Sequence, residues 1–212
     1  MTEKRYDPGY QVGATITGSA LFIDVRKSSR IIDFVERHHG PEAATHLFMN
    51  FLVGVMAVVD GPAVDECSPS GDAVLALFTG AARKSEAIDA AHRALAFVRF
   101  EFARENKKYL TCTGQCERRD CPVVEFQVGI GLDDGEVTDA VVAAGRHRSR
   151  QLVGACISFA SKLSGAAPPD SIVVSTSMSH REHALADKYR WKHDHVLVGT
   201  KATRVVLIPP PT

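Results

Sequence analysis

Net charge is the first thing this sequence lacks: its 212 residues carry 25 Lys and Arg against 25 Asp and Glu. Phosphate backbones are held by clustered excess cations, so the chain is expected to be a poor general nucleic-acid binder and any anion site must be local. No apolar run reaches the roughly 18 residues of a membrane span, and the longest, residues 48–59, is interrupted by Asn50 and has a helical period. The amino terminus, Met1-Thr-Glu-Lys-Arg, leads into no apolar stretch. That is not the pattern of a signal peptide, and a cytoplasmic address is expected. The five cysteines are an odd number, three of them crowded into residues 112–121. This suits free thiols or a metal better than a disulfide framework. Internal repeats and low-complexity linkers are missing too. What remains is 45% apolar, in a chain long enough for folding to hide roughly 70% of its extended surface. One domain with an ordinary core is expected, over residues 14–208, after a leading segment (1–13) and before a short tail (209–212), with a Cys-containing insert at 105–122.

Residues 14–25 are rich in β-branched and apolar types and predict a buried strand stopping at Asp24. Ser28 or Ser29 would cap a helix that Gly40-Pro41 ends, and a second helix follows, with Leu47, Phe48, Phe51, Leu52, Val55, Met56 and Val59 at spacings of three and four. Residues 63–67 and 73–78 predict two short strands joined through Ser68-Pro-Ser-Gly-Asp72. An alanine-rich helix is expected over 80–105. A hairpin of 123–132 and 136–144 would turn at Asp133-Asp-Gly135, followed by a basic loop (145–150), a helix over 153–164 and a strand at 171–175. A helix over 176–186 and strands near 188–195 and 203–208 complete the prediction. The order implies an α+β sandwich with a mixed or antiparallel sheet and helices on one face.

Two aspartates fall where chemistry is easily placed, Asp24 at a strand end and Asp72 in a tight turn. Mg²⁺ commonly takes one or two such carboxylates and fills its remaining positions with substrate phosphates. The segment from Val25 to Ser29 opens a helix, whose free N–H groups favour an anion. At this level the alternative stands that Asp24 caps the helix and Asp72 merely suits the turn.

Four blocks then act together: Leu21-Phe-Ile-Asp-Val-Arg-Lys-Ser-Ser29, Ser70-Gly-Asp-Ala-Val-Leu-Ala-Leu-Phe78, Val128-Gly-Ile-Gly-Leu-Asp-Asp-Gly-Glu-Val137, and Gly154-Ala-Cys-Ile-Ser-Phe-Ala-Ser-Lys-Leu163 with Ile172-Val-Val-Ser175. In order and spacing, over nearly the whole chain, they resemble the class III nucleotidyl cyclase domain. The resemblance implies a ferredoxin-like α+β fold, with a mainly antiparallel central sheet flanked by helices, and a homodimer with active sites between subunits. It implies that Asp24 and Asp72, with the carbonyl of Val25, hold two Mg²⁺ or Mn²⁺ ions. Arg26, Lys27, Ser28 and Gly71 would lie beside the nucleoside triphosphate. The ribose 3′-OH would attack the α-phosphorus and expel pyrophosphate.

The departures are informative. The family's transition-state Asn and Arg, one helical turn apart, are replaced by Ser158 and Lys162. Serine still donates one hydrogen bond, and lysine keeps the charge without the bidentate fork of arginine. The base-reading positions hold Ser68 and Gln151, matching neither the Lys/Asp pair of adenylyl nor the Glu/Cys pair of guanylyl cyclases. Gln offers both a donor and an acceptor, as the edge of uracil requires. In this, and in Phe159-Ala-Ser-Lys-Leu163, the chain is similar to the stand-alone pyrimidine cyclases of bacterial Pycsar anti-phage systems. The expected activity is therefore UTP to cyclic UMP, read by a separate effector protein. The alternatives are a degenerate, nucleotide-binding homologue or an ATP cyclase with an unusual pocket.

Weaker signals each have a plain counterpart. Phe48 or Phe51 would fill the space of a purine, or belong to the core. Arg146, Arg148 and Arg150 would clamp phosphate, or form a solvated loop. Lys201 lies near the family's phosphate-contacting lysine, in a pattern one or two residues off. Cys112, Cys116 and Cys121 lack a fourth nearby zinc ligand and are expected as free thiols. His38-His39 would complement a helix carboxyl end. Cys67 and Cys156 are expected as small core residues.

Overall fold

The computed structural model describes residues 10–112, 124–144, 147–179, 192–198 and 201–208. In chain order the elements are β1 (Tyr10–Val25), α1 (Ser28–His39), α2 (Pro41–Val59), β2 (Val64–Ser70), β3 (Ala73–Phe78) and α3 (Arg83–Ala96). A π-helical stretch (Phe97–Phe102) leads to the short α4 (Ala103–Glu105) and α5 (Lys107–Leu110). Then follow β4 (Val128–Ala144), β5 (His147–Val153), α6 (Ala155–Ala166), β6 (Ser171–Ser175), α7 (Thr176–Ser179), β7 (Lys192–Val198) and β8 (Lys201–Ile208). The strands form one sheet in the order β2-β3-β1-β4-β6-β8-β7, with β5 also paired to β4. Every pairing is antiparallel except β4 with β6.

Both faces of β1 are apolar, and the chain uses both. Leu21, Ile23 and Val25 join the main core with Ile31 and Val35 of α1, Leu47, Phe51 and Val55 of α2, and Ile88 and Leu95 of α3. Ala20, and beside it Phe22, pack on the other face with Cys156 and Ala160 of α6. Helices therefore cover both faces, not one as expected; the apolar residues of successive β1 positions need cover on each side. Phe48 and Phe51 lie in the main core against Phe126, at ring distances of 5.8 and 5.2 Å. That face is opposite the one carrying Asp24, so the core reading holds and the purine-mimic reading does not. Helix α2 is long and apolar enough to cross a membrane by length and composition, yet eight of its residues are buried in this core.

Three local expectations fail for physical reasons. Asp133-Asp-Gly135 does not turn; it lies inside the 17-residue strand β4, which pairs with β1 along most of its length. Its carboxylates have fixed partners there. Asp133 accepts from Ser175 and Ser177, and Asp134 from Ser19 (2.8 Å) and Arg83 (2.7 Å), with Lys84 at 3.3 Å. Burial pushes the Asp134 carboxyl up, but these donors and cations hold it below its ordinary value. The basic loop at 145–150 is largely strand β5. The helix over 80–105 breaks into the π-helical turn, where Phe97 lies over Gly54 of α2 so closely that a Cβ at Gly54 would overlap its ring. The beginning of β1 at Tyr10 also precedes the expected 14.

Helix α6 sits almost directly on β4. A Cβ at Gly131 would overlap the Ala160 carbonyl and the Ser164 amide, and would lie 2.9 Å from Leu163 Cβ. We expect Gly131→Ala to cost about 3 kcal/mol by forcing the helix off the strand. Gly61→Ala, with no atom within 4 Å of its added carbon, serves as the control and should be nearly neutral. Urea denaturation of the two variants checks this.

Candidate active site

The register of the sheet builds a shelf beside α6. Directly opposed residues share a face, so Ser70 and Ala73 form one row with Asp24 and Gly129, and Ser68 and Leu75 form the next with Phe22 and Gly131. Asp24 closes β1 next to the β2–β3 turn, where Gly71 takes a positive φ of 66° and Asp72 follows it. The Asp24 carboxyl is raised above its ordinary 3.8, first by burial, then by the charge of Asp72, with Arg26 opposing both. Two half-buried carboxylates that repel each other are a fitting place for a hard divalent cation. Among the described residues no group of three or more His, Cys, Asp or Glu converges. The pair would therefore bind metal together with substrate oxygens, the habit of Mg²⁺ at phosphate sites. Val25 is buried, at 2% exposure, so what it offers is its main chain.

The start of α1 differs from expectation. Neither Ser28 nor Ser29 caps it; both are helical. Lys27 occupies the cap position in the left-handed region, at φ 54° and ψ 38°, with no side-chain cap, and its carbonyl accepts from Arg30 (2.9 Å) and Ile31 (3.2 Å). The first turn carries no acidic residue. Its amides thus open beside Asp24 without a carboxylate to compete for them, which suits a phosphate oxygen.

The remaining candidates are divided by α6. Cys156, Ala160, Leu163 and Ser164 form its buried side. Ser158 and Lys162 are exposed on the opposite side, one turn apart as expected and pointing away from the sheet. The structure does not bring them to Asp24 within one chain. Arg26, expected at the phosphates, turns instead to the end of α6, where it donates to the carbonyls of Ser164, Gly165 (2.9 Å) and Ala167 (2.7 Å). Ser68 is half-buried on the shelf, but Gln151 is exposed on β5 and donates to Ser149 Oγ at 2.9 Å. Alternation along β5 turns Gln151 away from Leu152, which packs beneath α6. Ser68 and Gln151 are therefore not gathered into one pocket of the protomer. Arg150 is held by Glu66 (2.7 Å), Asp139 (3.1 Å) and Asp65 (3.3 Å), an assignment neither the phosphate clamp nor the solvated loop anticipated. Arg148 is an exposed residue of β5, and Lys201 opens β8. Arg146, Cys116 and Cys121 lie outside the described residues. Cys112 Sγ stands 3.7 Å from His38 Nδ1, a neighbour that sequence spacing gave no means of finding. Burial pushes the thiols of Cys67 and Cys156 up to about 11, in keeping with their expected packing roles. Phe22 shares the Asp24 face of β1, as the two-residue alternation of the strand dictates, and packs against the α6 cluster.

Comparison with solved structures identifies the class of fold. The chain superposes on the adenylyl cyclase CyaB from P. aeruginosa with a TM-score of 0.70 at 14% identity, covering 96% of this chain and 97% of that one. It superposes on the guanylyl cyclase Cya2 at 0.69 and 18%, covering 93% of each. For the guanylate cyclase domain of RhGC from Catenaria anguillulae in complex with GTP the values are 0.67 and 14%, with 94% of this chain and all of that one covered. The fold is thus that of the class III nucleotidyl cyclases. No protein-family model and no curated protein sequence matches the chain.

The carboxylate pair has a thermodynamic signature. The folded-state pKa of Asp24 lies above the unfolded 3.8, so the folded protein loses stability as pH rises through that raised value, and none of the penalty remains below 3.8. Asp24→Asn should therefore raise the melting temperature at neutral pH, and the gain should vanish in acid below the unfolded value. Thermal denaturation across this range checks it.

Proposed function

We propose that the protein is a metal-dependent nucleotidyl cyclase that forms a 3′,5′-cyclic nucleotide and pyrophosphate from a nucleoside triphosphate, and that two copies build each active site. The observation that carries this is the opposition of the two half-sites. Asp24, Asp72 and the uncapped start of α1 lie on one surface of the chain, while Ser158 and Lys162 face outward from the far side of α6. A substrate touching both sets needs a second subunit.

In this reading Asp24, Asp72 and the Val25 carbonyl hold two divalent ions, Mg²⁺ or Mn²⁺, which when bound would supply charge neutralisation at the triphosphate and acidify the ribose 3′-OH. The α1 amides and Lys27 take up phosphate oxygens. Lys162 of the second chain places its ammonium against the charge growing on the α-phosphate, and Ser158 donates one hydrogen bond. The 3′-oxygen bonds to the α-phosphorus as the bond to pyrophosphate breaks, and the hydroxyl proton passes to solvent.

For the base we propose uracil. Ser68 and Gln151 carry neither of the purine-reading pairs; the protomer holds them apart, so in a two-chain site they would meet the base from different subunits, where a carboxamide complements the donor and acceptor of uracil. The product would then be cyclic UMP, made in the cytoplasm and read by a separate effector protein in anti-phage defence. A second reading, a purine cyclase, is favoured by the names of the solved neighbours, which are adenylyl and guanylyl cyclases.

Purified protein incubated with ATP, GTP, CTP or UTP and Mn²⁺, with products identified by mass, separates these readings. We expect cyclic UMP as the main product and a loss of at least about 100-fold in turnover on Asp72→Ala. Product from ATP or GTP alone would favour the purine reading. No product from any nucleotide would leave a degenerate homologue.

A further inference from the structure

Arg26 reaches both a proposed metal carboxylate and the helix bearing Ser158 and Lys162. Its Nη1 stands 3.7 Å from Asp24 Oδ2, while the same guanidinium reaches the carbonyls of Ser164, Gly165 and Ala167. The last carbonyls of a helix have no donor within it and form its negative end. Helix α6 has no basic residue in its own last turn, so the cation there comes from Arg26, in the turn that follows β1. The arrangement is built in. The side chain is only 16% exposed, and a Cβ at Gly129 would overlap its guanidinium. The planar fork spans three carbonyls and leaves Nε buried without a partner, which a lysine could not reproduce.

We propose that Arg26 is a positioning residue that links the two active sites of the dimer. This rests on the two-chain reading given above. In that reading Asp24 serves one site while α6 of the same chain delivers Ser158 and Lys162 to the other. A rigid guanidinium joining Asp24 to the end of α6 then ties the geometry of each site to its neighbour. Metal bound at Asp24 would draw on the same carboxylate that faces Arg26, and the effect would be felt at the last turn of α6.

Mixed dimers test this. One subunit carries Asp24→Asn and the other Lys162→Met, so that each dimer keeps one complete site, with Asp24 from the second subunit and Lys162 from the first. Arg26→Met is then placed in either subunit. The linkage predicts a fall in turnover of about 10-fold or more for both placements, with Arg26→Lys restoring only part of it. Loss in one placement alone would show that Arg26 serves a single site and would overturn the linkage. A mixed dimer that stays inactive with native Arg26 would refute the two-chain reading itself, and the linkage with it.

A second readout needs no catalysis. Hydrogen exchange of amides 162–167 in the native protein should slow on adding Mn²⁺ together with pyrophosphate, which supplies the phosphate oxygens, and this response should be absent in Arg26→Met. Exchange that ignores Mn²⁺ with pyrophosphate in the native protein, or responds equally in the variant, would contradict the proposal.

Discussion

Helix α6 lies against β4 with glycine, not side chains, between the two backbones, and the orientation of everything on that helix follows. Gly129 and Gly131 face it, and a Cβ at either position would overlap atoms at the interface. With Ala160 and Leu163 turned to the sheet, the 3.6-residue period sends Ser158 and Lys162 to the opposite side. The carboxylates stay on the sheet and the cation leaves it. A single chain so arranged presents two half-sites that cannot meet. The contact that fixes the fold on this face is thus also the reason a second subunit is required by the proposed chemistry.

On the carboxylate side, the fold holds an arrangement that opposes its own stability. Asp24 is half-buried near Asp72, and both burial and that neighbour penalise its charge, with the Arg26 cation only partly offsetting them. Such sites persist where a ligand relieves the strain. The absence of an acidic residue from the first turn of α1, together with its missing side-chain cap, leaves the adjoining surface receptive to anions. In the proposed function this surface would be the local place for a metal–phosphate pair in a chain whose formal net charge is zero.

Much of this was legible in the sequence. The long helix α2 was given by its three-and-four periodicity, whereas Asp24 and Asp72, at a strand end and in a Gly-Asp turn, were singled out as metal ligands only by the resemblance, and their proximity is seen in the fold. What could not be read depended on partners distant in the chain. Asp133-Asp-Gly135 has the composition of a turn, yet it stays extended because Ser19, Arg83, Ser175 and Ser177 satisfy its carboxylates. Arg150 looked like part of a basic loop until strand pairing set it among Asp65, Glu66 and Asp139. Arg26 follows Asp24 by two residues and so shares its face, but only the tertiary structure shows the end of α6 above it. Gln151 was placed by resemblance alone, and strand alternation turns it away from the shelf that holds Ser68.

Whether each active site is made from two chains is decided by turnover per chain over a dilution series, with the dimer fraction determined at each concentration. Turnover per chain is expected to fall in proportion to the dimer fraction and to approach zero for the separated protomer. Turnover per chain that stays constant as the dimer dissociates would contradict the two-chain site.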